Sequence, residues 1–350
     1  MAGTRRDLAE TTAQLAAWFS DRLGTTSTVT DVSIPKAGFS NETVLGTLHA
    51  RGESTDFVVR IQPTGHQLFL EPDAMFQARM LKALGATGAV PVPAVLQEET
   101  DEGVLGAPFF VMERIHGRVP SDTPTWHAGG WTTELTIEER GRLYDSGLRA
   151  LVALHAIEPG EEFAFLRTSS DRSPLAAHIE HLRAWHEWST PSLRFGKDVI
   201  DAALAHLVDA RPDDDSATIS WGDARVGNMI FDDDLAVAAM LDWEGATLGP
   251  VGIDVAWWLM FEDFFSVEQG TPRLEGVPGP EETVARYVEL GGREIPDLGY
   301  YLVMAGMTFA LINSRLADLY ITQYGADPER SRSFIDRTTR MTAAYLERAS

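Results

Sequence analysis

The apolar positions change period several times along the chain. Leu8, Thr12, Leu15 and Phe19 recur at helical spacing among polar neighbours, which predicts an amphipathic helix near the start. Residues 28–36, 42–50 and 55–62 are short, rich in Val, Thr and Phe, and separated by Gly or polar breaks, so they read as an antiparallel meander. Met75, Met80, Leu81 and Leu84 then fall on one helical face, with Pro72 ahead of them and Gly85 as the expected stop. Residues 95–98 and 108–115 add two strands. The unbroken run Phe109-Phe110-Val111-Met112 predicts that the second is buried and central. These elements make up a first domain over residues 1–116.

Beyond it the helical period dominates. Thr136 and Glu139 form a capping-box pattern that opens a helix through His155, and further helical periodicity covers about residues 172–209. The exception is 217–242, where 218–220, 229–231 and 237–241 look like short strands around the acidic turn Asp232-Asp233-Asp234. Helices resume after it, which makes 117–350 a larger, mainly helical second domain. Its opening stretch, 117–136, is rich in Pro, Trp and Gly and reads as a surface connection with a functional or covering role.

Composition narrows the function. A chain of 350 residues is too long for one hydrophobic core, in keeping with two lobes. The formal net charge of -23 argues against nucleic acid or an anionic membrane surface as the main partner, and favours a cationic one where charge does more than maintain solubility. With no cysteine there is no disulfide, thiolate nucleophile or Cys-ligated metal. Arg5-Arg6 resembles the start of an export signal, but an amphipathic helix accounts better for the spacing of Leu8, Thr12, Leu15 and Phe19. No run approaches the roughly 18 apolar residues of a membrane span, so a cytoplasmic protein is expected. His178, Glu180 and His181 lack the H-E-x-x-H order, and neither a P-loop, a dinucleotide fingerprint nor a G-x-S-x-G elbow occurs.

The most informative stretch is Trp221-Gly222-Asp223-Ala224-Arg225-Val226-Gly227-Asn228, succeeded after the acidic turn by Leu241-Asp242-Trp243-Glu244. Taken singly, these Asp and Asn residues are ordinary turn residues. In the order strand, loop, strand, acidic turn, strand, they resemble the catalytic core of aminoglycoside phosphotransferases and choline-kinase-type enzymes. The resemblance implies an α+β, bilobal protein-kinase-like fold with a small antiparallel-sheet N-lobe and a larger, mainly helical C-lobe. It implies Asp223 as the base that orients an alcohol and takes its proton. Asn228 and Asp242 become the ligands of a magnesium ion, which needs few protein oxygens beside those of phosphate. Arg225 takes the place of the basic residue set beside the transferring phosphoryl group. The family usually has His where this chain has Trp221, a departure that bears on the packing of the loop. Asp254 resembles the helix Asp that accepts hydrogen bonds from the catalytic-loop backbone, and Trp257 and Trp258 read as core residues.

The same resemblance implies a nucleotide pocket in the first lobe. Residues 36–43 match the phosphate-covering loop, with Ser40 and Asn41 approaching the triphosphate. Arg60 stands where the family commonly has the Lys that binds α- and β-phosphates. The Glu expected on the next helix is replaced by Gln77, with Glu71 earlier. The Glu113 carbonyl and Ile115 amide would read adenine from the hinge, and backbone contacts of that kind leave ATP and GTP both admissible. For the acceptor alcohol, an acidic surface with Glu262 and Asp263 favours a cationic aminoglycoside or aminoalcohol. Residues 241–249 are instead especially similar to the kinase-like domains fused to acyl-CoA dehydrogenases, which favours a hydroxyacyl compound. A nucleotide-binding regulatory module without turnover is the alternative that Trp221 and Gln77 raise. Oligomeric state is not encoded in any of these motifs.

Overall fold

The computed structural model describes residues 6–35, 42–65, 67–167 and 172–349. It divides into two compact units, Met1–Ala86 with Val92–Ile115, and Thr87–Pro91 with His116–Ser350.

In the first unit, helix α1 (Leu8–Leu23) precedes strands β1 (Thr28–Ser33), β2 (Glu42–Ala50) and β3 (Glu53–Ile61). Helix α2 (Ala74–Thr87), strand β4 (Val95–Glu99), a single helical turn α3 (Glu102–Leu105) and strand β5 (Phe109–Glu113) complete it. The strands form one antiparallel sheet in the order β1-β2-β3-β5-β4. Phe57, Val59 and Ile61 alternate to one face of β3, as a pleated strand requires, and pack with Phe109 and Val111 of β5 and with Leu15, Trp18 and Phe19 of α1. The helix therefore buries Thr11, Leu15, Trp18 and Phe19, a stripe turned slightly from the expected one through Thr12. Helix α2 runs two residues past Gly85. A helix-interior glycine costs only about 1 kcal/mol, which the buried Met80, Leu81 and Leu84 outweigh.

The second unit carries α4 (Trp131–Glu134), α5 (Ile137–His155), α6 (Pro174–Ser189) and α7 (Lys197–Asp209) ahead of four short strands, β6 (Thr218–Ser220), β7 (Met229–Phe231), β8 (Val237–Met240) and β9 (Thr247–Gly249). Helices α8 (Gly252–Phe265), α9 (Pro280–Glu289), α10 (Leu298–Tyr324) and α11 (Pro328–Ala349) come after them. The capping box forms as expected, with Thr136 Oγ1 accepting from Glu139 N and Glu139 Oε2 accepting from Thr136 N. The short strands do not make one meander. β7 pairs with β8 across the acidic turn, whereas β6 pairs with β9, a strand whose three residues show no readable alternation. Against the expectation that no segment has the make-up of a membrane span, α10 is long and apolar enough to cross a membrane by length and composition. It lies against α8, α7 and α11, and most of its apolar stretch is buried inside the protein.

Candidate active site

The loop after β6 is held from beneath by one carboxylate. Asp254, in the first turn of α8 and fully buried, accepts from Ser220 Oγ (2.9 Å) and Gly222 N (2.8 Å) on Oδ1, and from Trp221 N (2.7 Å) and His155 Nε2 (3.0 Å) on Oδ2. A buried carboxylate needs such donors, and these fix the backbone leading into Asp223. His155, donating through Nε2, has Nδ1 left for the Tyr287 hydroxyl at 2.7 Å.

A second set of contacts ties this loop to the Asp242 segment. Gly222 has φ +82°, and a Cβ there would run into the Gly245 carbonyl oxygen, so only glycine permits the two backbones to approach. The fully buried Trp221 donates its indole N–H to the Leu241 carbonyl (2.8 Å) and lies against Trp243, with ring centroids 5.4 Å apart. Leu241 N in turn donates to the Asn228 carbonyl at 2.9 Å. Between these ties, Asp242 adopts the left-handed backbone at φ 55° and ψ 66°. A non-glycine residue there is strained and persists only where its surroundings impose it.

Asp223 itself is half-buried, and its Oδ1 accepts from Trp257 Nε1 (2.8 Å) and Arg225 Nε (3.2 Å). Burial pushes its carboxyl above the usual carboxylate range, Asp242 adds to the rise, and Arg225 and Trp257 oppose it. Arg225 also donates through Nη1 to Asp122 (2.7 Å), with its guanidinium 5.0 Å from the Phe261 ring centroid. Asn228 is buried and directs Nδ2 to the Asp223 carbonyl (3.1 Å), so its amide oxygen is the atom it has to offer a cation. One amide oxygen and one carboxylate suit a hard ion that keeps water and phosphate oxygens as its other ligands. The residues thus fit magnesium, and among the described residues no three His, Asp or Glu side chains gather into a cage that would hold a metal without such added ligands.

Helix α8 carries the expected loop anchor, Asp254, and with it two contacts that the sequence did not reveal. Asp254, Trp257 and Phe261 lie along one stripe of it and meet, in turn, the loop backbone, the Asp223 carboxylate and the Arg225 guanidinium. Trp257 is therefore more than core packing. Glu262 and Asp263 are not a docking surface for a cation. Glu262 is buried and accepts from Tyr144 (3.0 Å), with His127 Nε2 3.0 Å away, and Asp263 is paired with Arg273 at 2.6 Å.

In the first unit, Arg60 lies opposite Thr43 and Phe110 in the sheet and donates Nη1 to Thr43 Oγ1 at 3.1 Å. Gln77 is buried on α2, and Glu71 is exposed ahead of it. Glu113 closes β5, its amide bonded to the Ala94 carbonyl (2.8 Å), while no hydrogen bond to the Ile115 amide occurs among the described residues. Ser40 and Asn41 lie outside the described residues.

Comparison with known proteins gives a consistent picture. The model of the phosphotransferase enzyme family matches residues 31–287. Acyl-CoA dehydrogenase family member 11 of Gallus gallus is 27% identical over 308 residues, which are 83% of this chain and 37% of that protein. The chain spans between a quarter and little over a third of the curated relatives of this kind. Among solved structures, a Ralstonia eutropha protein assigned as an aminoglycoside phosphotransferase superposes with a TM-score of 0.68 at 23% identity, over 95% of this chain and 98% of that one. A thermostable mutant of aminoglycoside phosphotransferase APH(4)-Ia, in ternary complex with ADP and hygromycin B, gives a TM-score of 0.57 at 16% identity, over 94% and 98% of the two chains. The protein-kinase-like fold is thereby established.

Proposed function

Because the chain belongs to the phosphotransferase enzyme family, we propose that it moves the γ-phosphate of ATP to a hydroxyl of a small molecule, with Asp223 as the base. The observation that carries this reading is the convergence on α8: Asp254 holds the loop backbone and Trp257 the carboxylate of the same loop. With Trp257 and Arg225 both on Oδ1, Asp223 has Oδ2 to receive the acceptor hydroxyl. The acceptor oxygen attacks the γ-phosphorus, its proton passes to the carboxylate, and the bond to the ADP oxygen breaks. Asn228 and Asp242 would hold magnesium, which offsets charge on the phosphates when bound. Arg60, Glu113 and Ile115 are the proposed nucleotide contacts in the first unit, and the binding of ATP rather than GTP belongs to the same proposal.

For the acceptor, the internal engagement of Glu262 and Asp263 removes the specific argument for a cation. Likeness to acyl-CoA dehydrogenase family members favours a hydroxyl on an acyl compound. The test is ADP release with ATP and magnesium over a panel of hydroxyacyl-CoAs, aminoalcohols and aminoglycosides, beside Asp223→Asn. Stimulation by a hydroxyacyl compound that is lost in the variant supports the proposal. Nucleotide binding by thermal shift with no stimulated release favours the non-catalytic module instead.

A further inference from the structure

The connection at 117–131 is stitched down on both sides of a single acidic residue. Ahead of that residue, Arg118 exchanges backbone hydrogen bonds with Phe231 (2.8 and 2.9 Å), and the Val119 carbonyl accepts from Trp131 Nε1 at 3.0 Å. After it, Thr125 Oγ1 donates to the Phe265 carbonyl (2.8 Å), Trp126 packs edge-on against Phe265 (4.6 Å), and His127 meets the buried Glu262. Thr125, Trp126 and His127 are all buried, so the segment is anchored to the same helix that supports Asp254 and Trp257. The residue between the stitches is Asp122, whose Oδ1 accepts from Arg225 Nη1 at 2.7 Å.

We propose that Asp122 is a positioning residue of the candidate active site, holding Arg225 on Oδ1 of Asp223 so that Oδ2 is the oxygen presented to the acceptor. The guanidinium is gripped from two sides, Nε on Asp223 and Nη1 on Asp122, over the ring of Phe261. Gly227 leaves room for this grip, because a Cβ there would run into Arg225 Nη1 and lie 2.9 Å from Asp122 Oδ1. Asp122 is 46% exposed in its side chain, and ion pairs with one partner so open contribute little to stability. Its value is geometric. With Asp122 in place, Arg225 is engaged by carboxylates rather than waiting as a free cation for the phosphoryl group, the role that its place in the motif implies.

The inference rests on the phosphotransferase reading for its consequence in turnover, but its geometry can be tested without any acceptor. In ¹H–¹⁵N spectra of the nucleotide-free protein, the Trp257 indole resonance, assigned through Trp257→Phe, should move in Asp122→Asn and move likewise in Gly227→Ala. With the acceptor identified in the panel, Asp122→Asn should lower kcat about tenfold, since small misplacements of a catalytic group are costly. KM for ATP should stay within about twofold and Tm should be unchanged, because Asp122 is half exposed and Arg225 keeps its bond to Asp223. An unmoved Trp257 resonance overturns the proposal, as does an unchanged kcat. A fall in kcat matched by a fall in Tm overturns it too, by making Asp122 merely structural. If the wild type turns over no acceptor, the phosphotransferase reading fails, and the indole resonance still decides the positioning role.

Discussion

The indole N–H of Trp257 donates to Oδ1 of Asp223 at 2.8 Å, from the turn of α8 just beyond the loop anchor Asp254. The bond is to a charged acceptor, a class worth about 1.5–3 kcal/mol. Trp257→Phe keeps an aromatic ring against Phe261 and Phe309 but removes the donor. Turnover should fall roughly 10- to 100-fold, since each 1.36 kcal/mol is a factor of ten. Nucleotide affinity by thermal shift should hold, and a variant as active as wild type would remove Trp257 from the site.

Trp221 stands where the family usually has histidine, and its indole N–H reaches the carbonyl of Leu241, the residue before Asp242. Trp221→Phe leaves that part-buried carbonyl without its donor, costing about 1 kcal/mol. The strained backbone at Asp242 then loses one of its restraints. The magnesium concentration for half-maximal ADP release should rise several-fold in Trp221→Phe, and less in Trp221→His, which keeps a ring N–H. Equal magnesium requirements in all three proteins would show that the tie to Leu241 does not reach the metal site.

What could be read in the sequence was local chemistry at fixed spacing. Asp223, Asn228 and Asp242 were singled out by the order of strand, loop and acidic turn around them, through a resemblance rather than by residue type alone, and the capping box at Thr136 was legible from its own four-residue pattern. On α8, Asp254 was legible as the loop anchor, but the contacts of Trp257 and Phe261 were not. A helix buried on nearly all sides has no polar face, so the run from Val255 to Phe265 reads as core, and the donor on Trp257 is hidden in it. Glu262 was misread because its partners, His127 and Tyr144, are 135 and 118 residues away. Strand β9 escaped because Thr247-Leu248-Gly249 is too short to show a period.

Asp254 holds its loop through four donors, and Asp254→Asn replaces one acceptor oxygen with an amide nitrogen that must face an N–H or O–H group. Breaking a buried charged network of this kind costs about 3–5 kcal/mol. Thermal unfolding of the second unit should shift down by several degrees, and turnover should be lost even below that transition. A variant that keeps its Tm but loses turnover would assign Asp254 to loop geometry alone.

In the first unit, Glu99 ends β4 and gathers Asp101 N on Oε1 (2.9 Å), with Trp18 Nε1 (2.7 Å) and Arg22 Nη2 (2.6 Å) on Oε2. The Asp101 amide first, then Arg22 and Trp18, hold its carboxyl down to about 2, from an ordinary 4.5. A depressed carboxyl stabilises the fold fully above its unfolded value, and the stabilisation is lost as the pH falls from about 4.5 towards 2, where the folded protein must also take up the proton. Glu99→Gln never carries that charge. The wild type should therefore exceed the variant in urea midpoint by a constant margin at pH 6–8, corresponding to about 1.5–3 kcal/mol for the charged hydrogen bonds. The margin should shrink steadily below about pH 4.5, the unfolded value. Because Trp18 belongs to the α1 face packed on the sheet, the same protonation loosens the hold of Glu99 on that face. A margin that stays constant down to pH 3 would mean that Glu99 acts through shape and neutral hydrogen bonding, with its charge contributing nothing to the attachment of α1.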